Sequence, residues 1–169
     1  MSRAFTKEEA PEGPVIVPPR PPLTPGMPNY VTPRGLDALR KERRSLDAER
    51  SRLSADADAD GRQREMQGLA KRLTALDERI AKAHIVEPSA APTEVRFATT
   101  VTVQTLAGGA PEGDPRTFTI VGVDEASASE GRVAFTAPIA RAVTGLGVGD
   151  EAPLQTPRGP KALRVEAVR

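Results

Sequence analysis

The chain contains no cysteine, no tryptophan and a single tyrosine, Tyr30. Without cysteine there is no disulfide framework, no thiolate metal site and no cysteine nucleophile. Aromatics make up 3% of the 169 residues, so any core is aliphatic and modest. An elongated shape is easier to build from such a chain than a compact globule. Lys and Arg number 24 against 23 Asp and Glu, a formal net charge of +1. That balance gives no whole-chain attraction to nucleic acid, and the aromatics that would stack on bases are missing. No run approaches the roughly 20 apolar residues of a membrane helix, and the N-terminus has no apolar signal core. A soluble, cytoplasmic protein without membrane association is expected.

What the chain has is proline, 17 residues of it, and a strong division into segments. Residues 1–29 read as a tail. Its stretch PEGPVIVPPRPPLTPGMP is dominated by proline, which removes backbone donors and fixes φ, so helix and central strand are excluded. An extended polyproline-like or disordered tether is expected, with docking on a partner as the other reading.

Residues 30–86 read as an antiparallel helical hairpin. Thr32 caps a first helix and Pro33 occupies a position where its missing N–H costs nothing. Leu36, Leu39, Leu46 and Leu53 mark one face, and the stems of Arg43 and Arg50 cover the seam positions between them. The segment DADADG, Asp56 to Gly61, breaks the helix and favours a turn. A second helix from about Arg62 to Ala83 carries Met66, Leu69, Leu73, Leu76, Ile80 and Ala83 in heptad spacing. Neither stripe is buried alone, so the two helices fold back on each other. At about 1.5 Å per residue the arms reach roughly 30–35 Å. Periodicity alone fits a dimerising adaptor equally well.

Pro88 and Pro92 mark a boundary, and residues 94–169 form a second domain. Val95, Phe97, Thr99, Val101 and Val103 alternate as strand residues do. Further strands are expected at Thr117–Val123, Arg132–Thr136, Leu154–Thr156 and Ala162–Val168. Pro138 opens a short helix over Ile139–Val143, and Gly145, Gly147 and Gly149 end it as a turn. They lack the lysine and following helix of a phosphate loop. The fold class is α+β: a helical hairpin followed by a small antiparallel sheet with one helix.

Candidate chemistry is sparse. Asp56, Asp58, Asp60 and Gly61 match the first half of an EF-hand loop. Position twelve is Gln67 and position eight Gln63, so the bidentate carboxylate that Ca²⁺ needs is missing. The bland reading of the three Asp is a solvated turn. His84, the only histidine, is placed at the end of the second helix, where a cation complements the dipole. Alone it makes no zinc site. Ser45, Ser51 and Ser54 have no triad partners.

The phrases NYVTPRGLDALRKER, TFTIVGVDEAS and GRVAFTAPIARAVTGLGVGDEAPLQTP resemble the bacterial Gre family of RNA polymerase factors over roughly Asn29 to Arg169. Ala137 stands where the family usually has Ser before Pro138. The opening SRAF-x-KE and the Pro-rich tail resemble a GreB-like subgroup with an N-terminal extension. The resemblance implies an FKBP-like second domain. An isomerase pocket would need an aromatic lining, whereas Phe97, Phe118 and Phe135 fall in strand patterns and are expected in the core. It further implies a transcription elongation factor that enters the secondary channel of core RNA polymerase and acts indirectly on the nascent RNA 3′ end. The factor is an accessory, not an enzyme, with no catalytic residue of its own and no stably bound cofactor. Asp124, Glu125, Pro138 and Arg141 are implied at the polymerase rim. Asp56, Asp58 and Asp60 are implied near a Mg²⁺ shared with the polymerase active site. The family's cleavage-competent tip carries Asp and Glu three residues apart in a phrase like GD-x-SENA-x-Y, which this chain lacks. Its arms also fall short of the family's usual length. A monomer is expected. Inhibition of the channel without cleavage, or a coiled-coil adaptor, are the alternatives.

Overall fold

The computed structural model describes residue 23 and residues 26–55, 62–157 and 159–169. The expected disordered tail falls almost wholly outside these residues, and so do Asp56, Asp58 and Asp60.

The first helix, α1, spans Pro33–Ala55, and the second, α2, spans Arg62–Ala81. Leu36, Leu39 and Leu46 of α1 meet Leu69, Leu73 and Leu76 of α2 in one buried cluster, with Leu53 and Ile80 at its ends. The heptad stripes thus close against each other within one chain. Arg43, at a seam position, turns its head sideways to Asp77 of α2 and Asp47 of α1. α2 stops at Ala81, two residues earlier than its heptad pattern, because the chain there becomes extended.

That extension forms a small sheet absent from the sequence reading. Strand β1 (Asn29–Val31) pairs in parallel with β2 (Ala83–Ile85). The pair clamps the open end of the hairpin, where Val31 joins the leucine cluster. His84 therefore lies on a strand, exposed, and not at a helix end. Asn29, placed at the end of the tail, belongs to this clamp.

The second domain is a curled sheet. Its strands are β3 (Thr100–Ala107), β4 (Ala110–Pro111), β5 (Arg116–Val121), β6 (Arg132–Ala134), β7 (Glu151–Thr156) and β8 (Gly159–Val168). The order is β6-β5-β3-β8-β7, with β4 paired to β3. The short helix α3 (Pro138–Val143) packs Ala140 and Val143 onto the sheet's buried face, against Val101, Val103, Phe118, Ile120, Leu163 and Val165.

Three differences from the expected pattern have local causes. The sheet is mixed: β5 and β6 run parallel. The connection between them turns twice, first where Glu125 N–H donates to Gly122 C=O, then at Gly131 with φ +65°. The second turn sends β6 off in the direction of β5. Next, Val95 and Phe97 precede the sheet rather than belong to it. Ala98 takes φ +65°, the one positive φ at a non-glycine among the described residues. Thr99 Oγ1 ties the turn by accepting from Arg96 N–H and donating to Arg96 C=O. Finally, only Phe118 is fully buried among the three phenylalanines expected in the core. Phe97 and Phe135 sit at its margin.

Candidate functional site

The two domains meet at a joint built from residues far apart in the chain. Thr32 follows β1 and caps α1: its Oγ1 accepts from Gly35 N–H at 2.9 Å, and its C=O accepts from Leu36 N–H at 2.9 Å. The same hydroxyl donates to Glu125 Oε2 at 2.6 Å. The cap of the hairpin is thus completed by a carboxylate 93 residues away. That carboxylate also adds negative charge at the helix N-terminus, where the dipole favours it. Gly35 leaves room for this contact, since a Cβ there would lie 2.6 Å from Glu125 Oε2.

At the other side of the joint, Arg79 Nη1 donates to both oxygens of Asp124 at 2.7 Å. The two side chains are 6% and 7% exposed. Buried charges survive only when paired and hydrogen-bonded. Asn29 Nδ2 donates to Arg79 C=O at 2.9 Å, holding β1 to the end of α2. Gly122, which begins the turn carrying Asp124 and Glu125, packs so closely that a Cβ would lie 2.5 Å from Tyr30 C=O. Arg132 Nε donates to Glu125 C=O at 2.8 Å and fixes that turn from below. Tyr30 completes the joint with a tilted contact to Phe97 and an edge contact to Phe135, ring centroids 5.7 Å away in each case.

Two ionisable groups near these elements are perturbed. Glu130 titrates below its ordinary value because it accepts a hydrogen bond from Arg132. Desolvation opposes the shift, and Ser127 and Arg34 reinforce it. Arg43 is raised by its hydrogen bond and charge contact with Asp77, with Asp47 adding to it.

The residues expected at a partner surface divide in two. Asp124 and Glu125 come together at the joint, occupied by Arg79 and Thr32. Pro138 and Arg141 lie on α3 and are exposed. Arg79, Gly35, Gly122 and Asn29 were not legible as site residues, because their partners lie 45 or more positions away for Arg79 and Asn29 and no motif links them. Ser51 and Ser54 donate to the carbonyls of Asp47 and Arg50 one turn back, which absorbs them structurally. Gly145, Gly147 and Gly149 form the expected turn, with Gly147 N–H donating to Asp150 Oδ2. Among the described residues no group of three or more His, Asp or Glu side chains is placed to hold a metal. No described helix is long and apolar enough to cross a membrane.

A helical hairpin joined through buried side-chain contacts to a small curled sheet defines a two-domain class of protein. The family described as "Transcription elongation factor, GreA/GreB, C-term" matches residues 90–169. Transcription elongation factor GreA of Hyphomonas neptunium is 34% identical over 114 residues, 67% of this chain and 70% of that protein. GreA of Methylococcus capsulatus is 32% identical over 155 residues, 82% of this chain and 96% of that protein. Among solved structures, Thermus aquaticus Gfh1 aligns with a TM-score of 0.40 at 22% identity, covering 83% of this chain and 97% of that one. The chain belongs to the GreA/GreB family of transcription elongation factors.

Proposed function

We propose that the chain is an accessory factor that binds bacterial core RNA polymerase, enters its secondary channel and modulates backtracked complexes through the acidic segment at the hairpin tip. The observation that carries this reading is the joint. A buried ion pair and a shared helix cap fix the hairpin's direction relative to the sheet, as a rod that must reach a remote site requires. α1 ends at Ala55 and α2 begins at Arg62, so Asp56, Asp58 and Asp60 lie in the connection between the arms. The leucine seam is filled within one chain, which favours a monomer over a dimerising adaptor. Exposed Pro138 and Arg141 on α3 offer a surface for the polymerase rim, while Asp124 and Glu125 act by holding the joint that presents it.

The tip residues are hard oxygen donors, the kind Mg²⁺ prefers, and one or two carboxylates suffice when waters and a second protein complete the shell. A Mg²⁺ shared with the polymerase would supply polarisation of an attacking water and stabilisation of the leaving oxygen. The chain's own part is to bring the carboxylates there. The action on the RNA 3′ end is indirect, the factor is not itself an enzyme, and it works in the cytoplasm. Because the family's Asp-to-Glu tip phrase is absent, occlusion of the channel without cleavage is the second reading.

Retention of the protein on immobilised core polymerase at moderate salt tests the partner; no retention rejects the proposal. Incubation with backtracked complexes then separates the readings. Short 3′ RNA fragments indicate cleavage stimulation, whereas slowed nucleotide addition without fragments indicates occlusion. Replacing Asp56, Asp58 and Asp60 together by Asn abolishes either effect if the tip works through metal.

A further inference from the structure

Beside the joint lies an open pocket of about 540 Å³ that the proposed function does not use. All three parts of the protein contribute to it: Tyr30 and Val86 from the base of the hairpin, Glu87 to Thr93 from the connection, and Arg96, Phe97 and Thr99 from the entry to the sheet. The Tyr30 and Phe97 rings stand 5.7 Å apart at a 49° tilt, and Pro92 lines the same pocket. The wall carrying Phe97 and Thr99 is held by the left-handed turn at Ala98. A non-glycine in that conformation is strained and persists where its surroundings enforce it. Glu94 is paired with Arg96, but Glu87 stands exposed at the rim with no hydrogen bond or ion pair among the described residues.

An aromatic pair beside a proline, with an acidic rim, is the chemistry that receives an extended proline-rich segment carrying a basic residue. The chain itself supplies one: Val17-Pro18-Pro19-Arg20-Pro21-Pro22-Leu23. Its only charged residue is Arg20, opposite in sign to the rim. Pro25-Gly26 spells a type II turn, and Gly26 has φ +78°, the value that turn requires at its third residue. The turn falls four residues before Tyr30. Leu23, the one residue described ahead of the turn, is half-buried.

We infer that residues 17–22 dock in this pocket within the same chain, with prolines against Tyr30 and Phe97 and Arg20 toward Glu87. The tether is short, so the segment is held at an effective concentration on the order of millimolar, and the site fills even if its intrinsic affinity is no better than that.

The composition provides the test. With no Trp and one Tyr, intrinsic tyrosine emission reports Tyr30 alone. Acrylamide quenching of the full chain is compared with that of a full-length variant carrying Pro18→Ser, Pro19→Ser, Arg20→Glu, Pro21→Ser and Pro22→Ser. These changes lie outside both folded domains, and an unchanged circular dichroism melt confirms that the domains are intact. The quenching constant is expected to rise about twofold in the variant. A synthetic peptide of residues 14–25, added to the variant at millimolar concentration, is expected to restore the shielding. Equal quenching constants in the two proteins would overturn the inference. So would shielding in the native chain that disappears on dilution, since the tail would then be docking on a second copy.

Discussion

Gly35 and Glu125 set up a reversal of sign. In an exposed helix interior, replacing Gly by Ala stabilises by about 0.5–1 kcal/mol. Here the new methyl would displace the Glu125 carboxylate from Thr32 Oγ1, removing a charge-assisted bond of greater worth. Gly35→Ala is therefore expected to destabilise by about 1 kcal/mol in the native chain and to stabilise by about the same amount in a Glu125→Ala background. Urea unfolding of the four proteins of the cycle measures this, and additive effects would show that Glu125 does not share the cap. Glu130 gives a second prediction at this scale. Its hydrogen bond from Arg132 favours the charged form, so the folded state holds the proton less tightly than the unfolded chain does. Its contribution is complete above the ordinary carboxylate range and is lost as pH falls through the depressed folded value. Glu130→Gln is expected to melt below the native protein at neutral pH, with the gap closing as pH drops through the carboxylate range. A constant gap would mean that the ion pair is not what the side chain contributes.

The elements differ in how far their residues announce them. The hairpin is written in local spacing: leucines three and four apart fix the helices, and Thr32-Pro33 fixes the start of the first. The strands of the sheet are likewise legible where valine and threonine alternate. β1 and β2 are not, because each is three residues long and the partners are 54 positions apart; nothing local marks Asn29 or His84 as strand. The alternation through Val95 and Phe97 misleads for a different reason, since a single left-handed residue, Ala98, breaks the run without any glycine to advertise it. The parallel β5–β6 pairing depends on two successive turns whose net direction no residue type encodes. Within the hairpin, Arg43 is the element's weak point: a polar residue at a seam position, its head drawn out to Asp77 at the surface. Exposed pairs of this kind contribute little, whereas an apolar side chain there would extend the leucine cluster. Arg43→Leu is expected to raise the melting temperature of the hairpin by a few degrees, followed by helical circular dichroism. A lowered melting temperature would show that the Arg43–Asp77 pair matters to the register of the two helices.

At the scale of the whole molecule, orientation and stability are separable properties of the joint. Removing Arg79 alone leaves the Asp124 carboxylate enclosed without its guanidinium, a loss of about 3–5 kcal/mol. Removing both charges relieves that penalty, because an apolar pair of similar volume fills the space without a desolvated charge. Arg79→Met is thus expected to lower stability severely, and Arg79→Met with Asp124→Leu to recover most of it. Direction is another matter. The guanidinium contacts both carboxylate oxygens at 2.7 Å, a geometry that defines the angle between hairpin and sheet, whereas methionine against leucine packs in many ways. The doubly substituted protein should therefore unfold almost like the native one yet hold its hairpin in a wider range of directions, seen as a broadened distance distribution between spin labels on α2 and β8. If the joint exists to aim the hairpin, the effect on backtracked polymerase complexes falls severalfold in the double variant at temperatures where it is fully folded. If activity follows stability alone, the double variant works as well as the native chain. The buried pair is then only a means of holding the domains together, and the aim of the hairpin is set by the Thr32–Glu125 cap and the Tyr30 contacts that remain.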